Sequence, residues 1–231
     1  MAAAPLVAGE ERLTGGKFYG SVVSKQAVGG AIFTELQHSE PRKLPAHSHE
    51  LPFFCLVFGG DYAEKYGRRD VQFRPFTFAY RPAGIPHQDE VGPWGARMFG
   101  IEVEHGWQRS VKDGSGDLGM AYDFEGGPSL WLALKLYLET RTPIETDDLQ
   151  VVSLVSELLG CVHRLRVREA CERMLDPEQS LADISCDLGF ADQSHFTRTF
   201  HAITGKSPAA FRGMLSHGAI TSVASLNRLP F

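Results

Sequence analysis

The chain has 231 residues, with 23 Lys and Arg against 28 Asp and Glu and a net charge of −5. A hydrophobic share of 43% with 22% charged residues argues against a disordered chain, and no apolar run approaches the ~18 residues of a transmembrane helix. Cys55, Cys161, Cys171 and Cys186 stand apart without a C-x-x-C pair, so neither a disulfide scaffold nor a zinc ribbon is indicated. The start of the chain lacks the basic end and long apolar core of an export signal, and a reduced, cytoplasmic setting with no membrane association is expected.

From about 18 to 104 the chain is rich in Gly, Pro and aromatic residues. Short apolar runs (Ala31–Leu36, Phe53–Phe58, Val71–Tyr80, Arg97–Val103) are punctuated by Gly59-Gly60, Arg81-Pro82 and Gly92-Pro93. This pattern predicts an all-β sandwich or barrel. Alternation along 71–80 places Val71, Phe73, Pro75, Thr77 and Ala79 on one face and Gln72, Arg74, Phe76, Phe78 and Tyr80 on the other. Both faces are partly apolar, as in a packed barrel wall.

Two histidines at i and i+2, His47 and His49, point to the same face of a strand, and His87 can converge from a neighbouring strand. Three imidazoles suit a divalent transition metal such as Zn, Fe, Ni or Cu. The pair His47-Ser-His49 and Pro82-Ala-Gly-Ile-Pro-His87 resembles the two short motifs of the cupin superfamily, a small β-barrel, and Gly60 falls where the first motif closes. The resemblance implies a Glu four residues after the second His, but Phe53 stands there, and Glu50 should face away from His49. The three histidines therefore hold a metal, contact an organic effector, or are structural. Phe53, Phe54, Phe58, Phe76, Phe78 and Tyr80 would line or support the pocket.

Val111–Gly127 holds five glycines and several acids and reads as a boundary loop. Beyond it the period becomes helical: Leu130, Leu134, Tyr137 and Leu138 form one run, and Leu149, Val152, Val155, Ser156 and Leu159 another, with Pro143 between them. Asp147 and Asp148 sit at the start of the second helix, where acids favour the dipole. The apolar faces of these two helices are the expected homodimer contacts.

Ser180 and Asp183 form a capping box for a helix with a Leu181, Ile184 and Leu188 stripe, which Gly189 ends. Asp192 caps a second helix whose apolar positions are Phe196, Phe200 and Ile203. Two short helices joined by a Gly-containing turn make a helix-turn-helix pattern. With those apolar positions inward, Gln193, Ser194, His195, Thr197 and Arg198 are left outward. These are residue types that read base edges or hold phosphates in the major groove.

The stretch Arg164–Arg212 resembles the AraC-type (AraC/XylS) transcription regulators. The resemblance rests on Arg166-Val-Arg-Glu-Ala170, Ile184 with Leu188-Gly-Phe190, Asp192-Gln-Ser-His-Phe-Thr-Arg-Thr-Phe200, Thr204-Gly-Lys-Ser-Pro208 and Phe211-Arg212. It implies two helix-turn-helix units, whereas the second alone is found. Either the first was lost at a junction near Cys161–His163, or Leu130–His163 is a diverged first unit.

The expected fold class is α+β multidomain: a cupin-like effector-sensing β-barrel over 1–110, linker and dimerisation helices over 111–163, an all-α helix-turn-helix domain over 164–215 and a tail over 216–231. The expected function is a sequence-specific regulator of transcription that binds double-stranded DNA as a homodimer and responds to a small molecule. The alternatives are a metal-dependent cupin enzyme using His47, His49 and His87, and a DNA-incompetent partner of full-length relatives. Residues 1–160 carry 15 Lys and Arg against 21 acids, and 161–231 carry 8 against 7. The helical segment thus lacks a broad basic field, and weak non-specific DNA affinity is expected.

Overall fold

The computed structural model describes residues 11–104, 120–141, 148–190 and 192–216. The chain is α+β and divides into two compact units: residues 1–107 with 121–158, and residues 108–120 with 159–231. The linker and tail expected at 111–163 and 216–231 fall in part outside the described residues, as do Pro143 and Asp147.

Among the described residues the first unit carries ten strands in one bent, barrel-like sheet. In chain order these are β1 (Glu11–Leu13), β2 (Ser21–Val28), β3 (Ala31–His38), β4 (Arg42–Lys43), β5 (His47–His49), β6 (Phe53–Tyr66), β7 (Arg69–Phe73), β8 (Thr77–Arg81), β9 (His87–Val103) and β10 (Tyr122–Glu125). β9 is the spine. Its first residues pair with β5 and β4 on one edge (His47↔His87, Arg42↔Val91) and with the end of β6 on the other (Glu64↔Asp89, Tyr66↔His87). Its later residues pair with β3 and with the start of β6.

The bend comes from irregular register in β6 between Val57 and Gly59 and between Gly60 and Tyr62. Glycine is required at this crossing. Gly60 has φ 99, and a Cβ there would lie 2.1 Å from the Gly95 carbonyl oxygen. Gly95 has φ 64, and its Cβ would lie 2.2 Å from the His38 carbonyl oxygen.

Both faces of the sheet are apolar, as the strand alternation implied. The inner face buries Leu36, Val57, Phe73, Ala79, Val91 and Met98. The outer face buries Phe33, Phe54, Leu56, Phe78, Phe99 and Ile101. Helix α1 (Gly127–Glu139) packs on that outer face with Leu132, Ala133 and Leu136 buried, and Tyr137 meets the Phe99 ring at 5.2 Å.

The expected single strand over 71–80 is two strands. Pro75 has no N–H for a ladder, and the chain turns at Arg74–Phe76, where Thr77 N donates to Arg74 O at 2.9 Å. Phe76 takes φ 64 and is half exposed, away from the pocket at the histidines.

Helix α2 (Asp148–Arg173) is one helix of 26 residues. Buried apolar residues recur along it from Val151 through Leu158 to Val167 and Ala170, so nothing interrupts it. The boundary expected between 163 and 164 falls inside this helix. No helix among the described residues is long and apolar enough to cross a membrane.

The second unit contains the end of α2 with α3 (Leu181–Asp187), α4 (Gln193–Thr204) and α5 (Pro208–Ser216). Its core joins Val167, Ala170, Cys171 and Met174 to Ile184, Leu188, Phe190, Phe196, Phe200 and Phe211. Four phenylalanines run in sequence through it, with successive ring centroids 5.0, 5.6 and 5.4 Å apart from Phe190 to Phe211. Arg166 is fully buried, its guanidinium 3.9 Å from the Phe190 ring centroid and its Nε donating to Leu188 O at 3.0 Å. It satisfies the carbonyl at the end of α3 that the Gly189 turn would otherwise leave without a partner.

Candidate functional site

In the second unit, both helices of the candidate reading element begin with side-chain caps. Ser180 Oγ accepts from Asp183 N at 3.0 Å, and Asp192 Oδ1 accepts from His195 N at 2.6 Å. The turn between them closes with Phe190 N donating to Ser185 O at 3.0 Å, and Gly189 takes φ 67. A left-handed residue there costs glycine little. The Asp192 carboxylate occupies the N-terminus of α4, where a phosphate would otherwise be favoured.

Of the five residues expected to point outward, Gln193, Ser194 and Arg198 are exposed. Thr197 is half-buried, with its hydroxyl donating to Gln193 O at 2.8 Å. His195 is a correction. It is 3% exposed and packs edge-on against Phe190 with centroids 5.2 Å apart. It lies one residue before Phe196 on the helix, and the buried arc is wide enough to take both. His201, four residues after Thr197, is exposed and extends the same row. The i, i+4 spacing could have identified it from the sequence.

In the first unit, the structure brings His47, His49 and His87 together. One ring nitrogen from each lies within 4.8 Å of the others, and all three residues are at most 6% exposed. The reason is register: His47 and His87 are direct cross-strand partners, and His49 follows His47 on the same face. His47 Nδ1 lies 3.0 Å from Pro45 O and His87 Nδ1 lies 3.1 Å from Ile85 O. Donation to these carbonyls places the proton on Nδ1 and leaves Nε2 of each ring with its lone pair, as a metal ligand requires. Burial first, then the neighbouring His87, lowers the His47 pKa. Burial, His87 and His47 together hold His49 well below its ordinary value. His47 and His49 are therefore neutral imidazoles at pH 7.

Phe53 occupies the position where the motif would place a carboxylate, and its ring lies 4.4 Å from that of His49. Glu50 belongs to neither cluster of candidate ligands among the described residues. Two carboxylates that the motif did not indicate, Glu64 and Asp89, form a second cluster with His87. Asp89 Oδ2 lies 3.6 Å from His47 Nε2. Burial, then the Glu64 charge, pushes the Asp89 carboxyl up to about 7. Glu64 is clasped by Arg81, whose Nε donates to both carboxylate oxygens at 2.9 and 2.8 Å, and Arg81 also reaches Asp123 at 2.8 Å. A sequence signal for Asp89 existed: His87-Gln-Asp89 repeats the i, i+2 spacing of His47-Ser-His49.

The cavity at the histidines has about 30 Å³ of free space, enough for an ion with one or two waters. A drug-sized organic ligand needs roughly 300–1,000 Å³. Of the aromatic residues expected to line it, Phe53 does so. Phe54, Phe78 and Tyr80 pack elsewhere, as the close ring contacts Phe54–Phe78 and Phe54–Tyr80 show, and Phe58 lies against Tyr137 at 4.6 Å. Several buried polar atoms around the cavity lack a hydrogen-bond partner: both ring nitrogens of His38, His49 Nδ1 and Asp89 Oδ1. Leaving such atoms unsatisfied costs roughly 1–3 kcal/mol each, and a bound ion with its waters would satisfy them. The residues present therefore fit a metal.

Residues 157–214 match the helix-turn-helix domain family. No curated protein matches the chain significantly. Among solved structures, the chain is similar to the AraC-like transcriptional activator CuxR, at 13% identity over 86% of this chain and 80% of that one, TM-score 0.45. It is also similar to ToxT from Vibrio cholerae O395, at 10% identity over 81% and 98%, TM-score 0.41. A cupin-2 domain containing protein from Shewanella frigidimarina NCIMB 400 aligns at 12% identity with 37% of this chain and 85% of its own, TM-score 0.31.

Proposed function

We propose, from the premise that residues 157–214 are an AraC-type helix-turn-helix domain, that this chain is a sequence-specific DNA-binding regulator of transcription. The observation that carries this reading is the row Gln193, Ser194 and Arg198, exposed on a capped helix whose opposite face is locked into a phenylalanine core. Gln193 and Arg198 are suited to adenine and guanine edges, and Ser194 and Thr197 to bases or phosphates. His201 would reach the backbone from the far end of α4. Double-stranded DNA as partner implies a cytoplasmic location. The decisive experiment is selection of genomic fragments by the intact chain, followed by gel shift of the recovered sequence. Wild type should select one sequence family, and Gln193→Ala with Arg198→Ala should erase the preference. Recovery of random fragments would overturn the reading in favour of a DNA-incompetent partner of full-length relatives.

The barrel-like unit is the sensing part, and the ligand that the cavity at the histidines admits is an ion. His47, His49 and His87 would hold a divalent transition metal, which when bound supplies positive charge and fixed geometry to β5 and β9. The same imidazoles serve a metal-dependent enzyme. The free space at the three histidines is about 30 Å³, which favours an ion there over an organic substrate, while a separate pocket of about 280 Å³ borders Glu64 and Asp89.

Homodimerisation belongs to this reading, because one small reading unit binds DNA weakly. Val155 and Leu159, two of the expected contacts, are buried within their own chain. On the two helices the exposed large apolar residues are Trp131 and Leu138, seven apart on α1, and Leu149 on α2, while Val22, Val23, Phe76 and Trp94 are exposed on the strand-rich part. Trp131→Glu with Leu138→Glu should convert a dimer to a monomer in analytical ultracentrifugation.

A further inference from the structure

We propose that Asp89 supplies the carboxylate ligand of the metal centre, completing a set of three imidazole nitrogens and one carboxylate oxygen with His47, His49 and His87. The proposal rests on the metal reading given above and extends it to a residue outside both histidine motifs.

Strand geometry places Asp89 next to His47 and His87, with His87 shared between its cluster and that of the three histidines. It follows His87 by two residues on β9, so both face the interior, and it borders the same cavity as the three histidines. Its Oδ2 lies 3.6 Å from His47 Nε2. That is longer than the ~3.0 Å of a hydrogen bond. It is close to the spacing of two ligands on one ion, since atoms about 2.0–2.1 Å from a tetrahedral metal lie about 3.3 Å apart.

Asp89 is bonded to the Tyr62 side chain and keeps one oxygen without a protein partner. It is 3% exposed, and its Oδ1 has no hydrogen-bond partner. Arg81, the buried cation nearby, gives its guanidinium to Glu64 and Asp123. Glu64 shares a cluster with His87 and Asp89, but both its oxygens are taken by Arg81, which removes it as a ligand. No protein cation is bonded to this buried carboxyl, which holds its proton up to about pH 7, and a bound metal ion would displace that proton and stabilise the charged form.

The position from which the motif would deliver a carboxylate carries Phe53, so the acid has moved from β6 to β9. Formal charges agree: a divalent ion with one carboxylate leaves +1, and the Arg81–Glu64–Asp123 group beside it carries −1. An N₃O set suits Zn²⁺, Fe²⁺, Co²⁺ or Ni²⁺ and disfavours Ca²⁺ and Mg²⁺, which take oxygen ligands.

The test is titration of the metal-stripped full chain with Co²⁺, read by its visible absorption, and with Zn²⁺ in competition. Wild type should bind one equivalent. Asp89→Asn, which keeps the shape, should weaken binding on the order of 100-fold or more, since even outer partners of a ligand are worth 10–100-fold, and should alter the Co²⁺ spectrum. Asp70→Asn should leave both unchanged. If Asp89→Asn binds Co²⁺ like wild type while His47→Gln does not, the Asp89 assignment fails and the histidine site stands. If wild type binds neither ion, the metal reading falls and the assignment falls with it. Should Asp89→Asn not fold, the carboxyl ¹³C resonance of Asp89 in wild type decides. It should shift on addition of Zn²⁺, and an unmoved resonance overturns the proposal.

Discussion

The His195 ring packs edge-on against Phe190 with centroids 5.2 Å apart, so a polar residue at the start of α4 belongs to the core of the second unit. Truncation should therefore separate folding from DNA reading within six residues of chain. His195→Ala should cost about 2 kcal/mol through the cavity it leaves and lower the melting temperature by roughly 10 °C for a small domain. Arg198→Ala, at an exposed position, should leave melting within a degree or two and remove sequence preference in gel shifts. A His195→Ala protein that melts like wild type would return this residue to the reading face.

Asp192 acts on α4 in two ways that substitution can separate. Its side chain caps the helix by accepting from His195 N, and Asp192→Ala should cost about 1 kcal/mol in thermal denaturation. Asp192→Asn keeps an accepting oxygen and removes the negative charge. It should melt within a few degrees of wild type and bind a non-specific duplex several-fold more tightly in fluorescence anisotropy at low salt. Equal affinity would show that the carboxylate does not face the phosphates.

The buried Arg81–Glu64 pair sits beside the histidine cavity, with side chains 3% and 5% exposed. Removing one partner strands the other charge in the interior, so Arg81→Met alone should cost about 3–5 kcal/mol in urea unfolding. Arg81→Met combined with Glu64→Leu should recover most of the loss. If the double variant is as unstable as the sum of the two single ones, the residues do not act as a pair.

Glu102 gives the barrel-like unit a pH-dependent component of stability. It is fully buried, its Oε2 accepts from Gly16 N at 2.6 Å, and burial pushes its carboxyl from the ordinary 4.5 up to about 7. The folded state therefore binds this proton more tightly than the unfolded chain. Below pH 4.5 both forms are protonated. From 4.5 to 7 stability falls as the pH rises, and above 7 the full penalty is present. Glu102→Gln should remove that component. The melting temperature of the variant minus that of wild type should be more positive at pH 8 than at pH 5. A difference that stays constant across the range would contradict it.

Much of the candidate site was legible because it depends on short periods. His47-Ser-His49 needed only strand alternation, and the caps Ser180 and Asp192 needed only local hydrogen bonding. Asp89 lies outside the pattern of the first motif, which ends at Phe53, and the replacing acid stands 36 residues further on. His195 was misplaced because the buried arc of α4 covers two adjacent residues where apolar periodicity marks one. Apolar alternation continues across Pro75, but the missing N–H there is a local property that signals the turn. Val155 and Leu159 read equally well as a dimer face or as core, and which of the two holds depends on distant segments.

Sequence by itself indicated the α+β class, a helix-turn-helix within 164–215 and three histidines able to converge. Each follows from local rules: side chains alternate on strands, recur every 3.6 residues on helices, and turn where glycine permits. Tertiary structure decided which charges are already satisfied. Glu64 and Asp89 are both buried acids on neighbouring strands, directly opposed in register. Arg81, delivered by β8, clasps Glu64 and leaves Asp89 facing the cavity. That difference arises from three strands meeting in space, and no local pattern in the chain encodes it.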